Sequence, residues 1–225
     1  MELNTGQWVV IILCAVLIIA YIRGFLYNRQ QAEQIARWLV EGLKEWGEVT
    51  PGEKMPGMVT GGRLVVEQAA APLRKIEALY ILAPRDNPLF WLFHRISGRG
   101  DELIVWVTFQ HKPDQELEAA RKGDRQFASR LKAKDKPALT LVDAPAGFQI
   151  ACQIKNGTPP AGVRADVGAQ GLRPQLIDFI QRRSSSLIRL ALRPNKPHLF
   201  LRADLRKVRA RPTRELLQEL SELKG

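Results

Sequence analysis

From Trp8 to Ile22 the chain carries no charge and is mostly Val, Ile, Leu and Ala; Arg23 interrupts, and Gly24, Phe25, Leu26 and Tyr27 resume the apolar run. If Arg23 snorkels to the interface, a helix from Trp8 to Tyr27 has about 20 residues, the length that crosses about 30 Å of hydrocarbon. Trp8 at one end and Tyr21 and Tyr27 at the other suit the two interfaces. Met1 to Gln7 holds Glu2 but no Lys or Arg, and no small-residue cleavage site follows, which favours a retained anchor over a signal peptide. Arg23, Arg29 and Arg37 come after the run with nothing basic before it, so the positive-inside rule places the N-terminus outside and the remainder in the cytoplasm.

Beyond the anchor the periodicity changes several times. Ile35, Trp38, Leu39, Gly42, Leu43 and Trp46 recur at three- and four-residue spacing, predicting a helix from Gln31 to Trp46 that ends at Gly47. Pro51, Gly52, Pro56 and Gly57 predict a loop. Two β-rich runs, Gly62 to Ala70 and Leu73 to Leu82, read as a hairpin turned at Ala71 and Pro72. Asn87 before Pro88 is a cap followed by a first-turn proline, opening a short helix through Ile96 that Ser97, Gly98 and Gly100 stop. Glu102 to Phe109 alternates as a strand. Pro113 to Lys134 is charged, with a thin stripe of Leu117, Ala120, Phe127 and Leu131, and reads as a helix.

The second half repeats this order. Strands are predicted near Leu139 to Val142 and Phe148 to Ile154, a Gly/Pro loop from Gly157 to Gly171, and a helix from Arg173 to Arg183. Strands Leu187 to Arg193 and Leu199 to Leu205 follow, then a helix from Thr213 to Leu223. The predicted class is α+β: one transmembrane helix, then a mixed or antiparallel sheet with packed helices, arranged as two similar halves. The organisation expected is a transmembrane anchor over 1–27, a juxtamembrane helix and loop over 28–58, and a cytoplasmic α+β domain over 59–225.

Charge adds a partner class to this picture. Lys and Arg number 34 against 23 Asp and Glu, a formal net charge of +11, which suits phosphate backbones or anionic lipid headgroups. The excess concentrates between Arg182 and Arg214, where Arg182, Arg183, Arg189, Arg193, Lys196, Arg202, Arg206, Lys207, Arg209, Arg211 and Arg214 face only Asp204. Arg189 and Arg193 share an orientation along one strand and Arg202 lies on the next, so a sheet face could present them together. One reading is a solvated face that opposes aggregation; the other is a surface that contacts ribosomal RNA or lipid phosphates.

The helix from Pro88 to Ile96 is apolar almost all round. Such a helix is ordinarily buried; the alternative is a hydrophobic surface on the bilayer or a membrane partner, anchored by Phe90, Trp91 and Phe93.

Candidate chemistry is sparse. His94, His111 and His198 lie in no recognisable motif and read as surface or strand residues. Asp101 with Glu102, and Glu116 with Glu118, fit a strand entry and a helix first turn. Cys14 and Cys152 form no CxxC pair, which suits a reducing compartment, and no metal or cofactor motif is present. An enzyme with an unrecognised site stays open as an alternative, since a cleft with converging titratable groups would support one.

The order of features resembles the cytosolic-domain family of the PAT-complex coiled-coil subunit, also called calumin, of the endoplasmic reticulum. The resemblance rests on the helix around Ala36 to Trp46, Gly62-Arg63 opening a strand pair, Leu79 to Phe93 with its apolar helix, and Asp101 to Thr108 as a D-x-[LIV]-x-[VI]-x-[VI] strand. It continues through Leu139 to Val142, Leu176 to Arg183, Leu187 to Ala191 and Leu199 to Ala203. It implies a non-enzymatic partner of ribosome and translocon that assists insertion of membrane proteins. The family's acidic lumenal segment has no counterpart here, so calcium binding is not carried over. Its long charged C-terminal helix is also lacking, and the Arg182 to Arg214 stretch is the expected substitute for ribosome contact.

Overall fold

The alternating apolar positions after Gly61 assemble into a single antiparallel sheet, and the N-terminal helix runs straight onto it. In a computed structural model of the chain, residues 4–53, 60–113, 116–124, 127–129, 139–144, 147–153 and 174–223 are described. In chain order the elements are α1 (Thr5–Leu43), β1 (Thr50–Pro51), β2 (Gly61–Val66), β3 (Leu73–Ile81), α2 (Pro88–Ile96), β4 (Glu102–Phe109), β5 (Leu117–Arg121), β6 (Leu139–Ala144) and β7 (Phe148–Gln153). They continue with α3 (Pro174–Arg183), β8 (Leu187–Leu192), β9 (Leu199–Asp204), α4 (Leu205–Val208) and α5 (Thr213–Glu222). The nine strands lie in the order β1-β2-β3-β4-β9-β8-β5-β7-β6, each neighbour antiparallel.

The period of two sorts side chains onto two faces. Ile76, Ala78 and Tyr80 of β3, Leu103, Val105, Val107 and Phe109 of β4, and Leu199, Leu201 and Ala203 of β9 belong to one core cluster. Helix residues Ile35, Leu39 and Leu43 of α1, Leu176, Phe179 and Ile180 of α3, and Leu216, Leu217 and Leu220 of α5 belong to the same cluster. Helices therefore cover this face. The opposite face holds the other alternates, polar and apolar together, with Glu77 opposite Trp106 and Trp106 opposite Phe200 across β3, β4 and β9. Trp106 and Phe200 rings stand 6.2 Å apart and tilted.

Three elements depart from what local pattern predicts. The expected juxtamembrane helix from Gln31 to Trp46 is not a separate element, because α1 runs unbroken for 39 residues. Nothing between Tyr27 and Gln31 is a breaker, so the turn simply propagates. The expected helix from Pro113 is replaced at Leu117–Arg121 by β5, which pairs with both β7 and β8. Leu-Glu-Ala-Ala-Arg has high helix propensity, but as a central strand it buries Leu117 and Ala119 in the core and gives Glu118 an arginine partner, and tertiary pairing outweighs propensity. After β5, Lys122 and Gly123 form a turn and 127–129 is helical; 130–134 of that predicted helix, the Pro56-Gly57 turn and the Gly157 to Gly171 loop lie outside the described residues.

The third departure concerns the two halves. Strands β2, β3 and β4 form a simple meander, whereas β5 is inserted between β7 and β8. The halves thus share an element order but not a strand order. The hairpin forms as predicted, Gly61 opposite Ile81 through Val66 opposite Ile76, with Ala71 and Pro72 in its connection.

Candidate functional site

Helix α1 begins at a capping box in which Asn4 Oδ1 accepts from Gly6 N–H and Gln7 Oε1 accepts from Asn4 N–H. At 1.5 Å per residue its 39 residues span about 58 Å, close to twice a hydrocarbon core. It is long and apolar enough to cross a membrane. Side chains from Trp8 to Phe25 stand exposed except Ala20 and Gly24. Farther on, Asn28, Ile35, Leu39, Gly42 and Leu43 are buried. One stripe of the helix, at three- and four-residue steps, therefore meets the domain from Gly24 onward.

The contact is closest at Gly24. A Cβ there would sit 1.8 Å from the Arg85 carbonyl oxygen, so only glycine lets the β3–α2 connection touch the helix. One turn later Asn28 Nδ2 donates to the Ala83 carbonyl at 3.1 Å, and Arg85 Nη1 donates to Asn28 Oδ1 at 3.1 Å. Arg85 Nη2 also donates to Asp101 Oδ2 at 2.8 Å, and Ala83 N–H donates to Asp101 Oδ1 at 2.9 Å. The Arg85 guanidinium rests over the Tyr27 ring, 5.1 Å from its centroid. Burial pushes Asp101 up, but Arg85, the Ala83 N–H and nearby Arg206 outweigh it and hold the carboxyl below the usual carboxylate range. Asn28, Arg85 and Asp101 are mutually satisfied here while largely buried, so the joint between helix and domain is a stiff one.

Two residues past that joint, Asn87 Oδ1 accepts from Phe90 N–H at 3.2 Å and Pro88 occupies the first turn, starting α2 where the sequence predicts. Gly98, at φ +66, ends it. No α2 residue is buried. Leu89, Phe90, Leu92, Phe93 and Ile96 are at least half exposed, from 50% to 78%, which reverses the expectation of a buried helix. Pro88, Trp91 and His94 form the half-buried side, and Arg95 lies over the Trp91 ring at 5.5 Å. Of the three aromatic anchors, Phe90 and Phe93 face outward and Trp91 faces the domain.

The basic stretch does not form one continuous patch. Arg183 Nε donates to Glu219 Oε2 at 2.7 Å, and Arg182 contacts both Asp178 and Glu219; these tie α3 to α5. Arg189, buried, pairs with Glu118, which Arg193 also approaches at 3.5 Å. Arg202 holds Glu102 with two hydrogen bonds of 2.8 and 2.7 Å, and that carboxylate keeps Arg202 more firmly protonated. The sequence places Arg189, Arg193 and Arg202 together, and the structure does so, but carboxylates stand between them. Arg206 is 3.5 Å from Asp101, and Lys207 bonds the Ser185 carbonyl. Arg209 donates to Gln31 and Gln34, while the Arg211 carbonyl accepts from Trp38 Nε1, laying this segment along α1. Arg206, Lys207 and Arg211 are exposed and Arg209 is half-buried against α1; Arg182, Lys196 and Arg214 are exposed elsewhere along the stretch.

Between the end of α2 and the open sheet face lies a cleft of about 360 Å³, lined by His94, Arg99, Glu102, Asp124 and Arg202 among others. Its charges are largely matched, as with Arg202 on Glu102. Beside it Arg121 donates to the carbonyls of Ser184, Ser185 and Leu187. His198 proves to be neither a surface nor a strand residue. It is buried before β9, its Nδ1 accepts from Phe109 N–H at 3.0 Å, and burial with nearby Lys196 and Lys112 lowers its pKa. Among the described residues no group of three or more His, Cys, Asp or Glu is placed to hold a metal.

No protein-family model and no curated protein matches the chain.

The residues that join the apolar half of α1 to the domain were not apparent as a site in the sequence. Asp101 reads there as a strand entry, and Arg85 is not singled out at all. The available signal was the spacing Gly24, Asn28, Ile35, Leu39, which carries a helix stripe backward out of the domain into the apolar run.

Proposed function

We propose that the chain is a single-span, non-enzymatic binding domain that works on the cytoplasmic side of a membrane and assists insertion of membrane proteins through contact with ribosome or translocon. The observation that carries this reading is the continuity of α1, whose first half is apolar and bare and whose second half is core. With no linker between them, the domain has a fixed height and tilt over the bilayer. Tethering also raises its local concentration at an insertion site, so weak contacts suffice.

Arg206, Lys207 and Arg211, all exposed, with half-buried Arg209 between them, are the cluster of the basic stretch offered to ribosomal RNA. Replacing all four with Glu should abolish salt-sensitive co-sedimentation of the solubilised full chain with ribosomes. Unchanged co-sedimentation would remove the ribosome from the proposal. A second reading, a scaffold for anionic lipids through the same face, is favoured by the closeness of Arg206 to the joint at Asp101. Competition of anionic liposomes against ribosomes separates the two.

A further inference from the structure

We propose that α2 is an interfacial helix whose outer face is embedded in the phospholipid leaflet where α1 leaves the membrane. The proposal rests on α1 being a permanent span and adds a second attachment that α1 alone does not require.

The first argument is shape. At 3.6 residues per turn, Leu89, Phe90, Leu92, Phe93 and Ile96 fill roughly 160° of the α2 circumference, a continuous apolar arc. Pro88, Trp91 and His94 occupy the other side, toward the domain. The second argument is place. α2 follows directly on the connection that touches Gly24 and caps the joint at Asn28 and Tyr27, and it also contacts α1. Tyr27 is the end of the apolar span, so α2 lies level with the headgroup boundary rather than out in the cytoplasm.

The third argument is charge. Within Pro88 to Gly100 the charged residues are Arg95 and Arg99, both exposed, and α2 has no acidic residue in its first turn. Cations flanking an apolar arc suit the phosphate layer of a bilayer. A helix of this length is marginal by itself in water. Its two caps set its limits, and a lipid phase supplies the apolar surroundings that the domain does not. Arg206 approaches Asp101 at the joint beside this layer, whereas Arg211, whose carbonyl bonds Trp38, stands roughly 16 Å along α1 beyond Tyr27, more than a Debye length of about 8 Å.

The test uses the full chain reconstituted into vesicles of phosphatidylcholine and phosphatidylglycerol, with benzoylphenylalanine in place of Phe93 and, in a second protein, in place of Ser221 on α5. Irradiation should join position 93, but not position 221, to phospholipid. A companion variant, Leu89→Ser with Phe93→Ser and Ile96→Ser, should exchange its 89–97 amides at least tenfold faster than the parent chain in the same vesicles. Its Glu102–Phe109 amides should exchange at the parent rate, which shows that the sheet is intact. Carbonate extraction of each preparation reports on α1 separately. A chain that stays in the membrane but gives no lipid adduct at 93, or equal exchange in the two proteins, overturns the proposal for α2 alone. Release by carbonate overturns the span itself.

Discussion

Helices α2 and α5 are nearly the same length, and each has one apolar arc, yet α5 buries Leu216, Leu217 and Leu220 while α2 buries nothing. The difference lies in what each helix is offered. α5 is offered the second half of α1 and the helical face of the sheet, and Thr213 Oγ1 secures it by donating to the Trp38 carbonyl at 2.8 Å. α2 is held at its start by the joint at Gly24 and turned outward from the sheet. Amphipathic periodicity states that a face must be covered; it does not state by what.

The comparison can be broken most severely at the joint. Gly24→Leu puts a side chain into the Arg85 backbone and should cost more than about 4 kcal/mol, the range of outright clashes. The expected readout is fast amide exchange at Ala83 and from Arg85 to Asn87, with α2 released while α5 stays protected. Asp101→Asn leaves Arg85 buried without its anion and should cost about 3–5 kcal/mol in urea titration of the detergent-solubilised chain.

The same carboxylate gives the joint a pH signature. The folded-state pKa of Asp101 is lowered, so its contribution is fully present above the unfolded value, near 4, and is lost as pH falls through the folded value. Stability of the parent chain should therefore decline below about pH 4 more steeply than that of Asp101→Asn. Equal slopes would mean that the Arg85 pairing does not form in solution.

Paired truncations sharpen the contrast between the helices themselves. Leu217→Ala in α5 should lower stability by about 2–5 kcal/mol, whereas Phe93→Ala in α2, 62% exposed, should change it by no more than about 0.5 kcal/mol in detergent. A large loss for Phe93→Ala would show α2 packed on protein. The smallest effect belongs to Arg182→Gln, which removes a half-exposed ion pair worth about 0–1 kcal/mol. That variant should unfold at nearly the parent urea midpoint.

Glu118 shows why the binding surface was harder to read than the fold. In sequence it belongs to a charged helical stretch far from Arg189 and Arg193; in space it lies between them. Glu219 does the same for Arg182 and Arg183, and Glu102 for Arg202. Net charge counted along a segment overstates the positive field of a folded surface, because the compensating carboxylates arrive from other strands.

The order of residues alone determined the apolar run long enough for a bilayer, the limits of α2 between Asn87 and Ser97, and the alternation of β3 and β4. Those features follow from local causes: run length, a cap and a proline, and a period of two. Tertiary structure decided that α1 continues into the core, that Leu117–Arg121 is a strand, that α2 turns its apolar arc outward, and which arginines keep their charge uncompensated. Each of these depends on which distant segment arrives alongside, and pairing energy between such segments exceeds the few tenths of a kcal/mol by which local propensities differ.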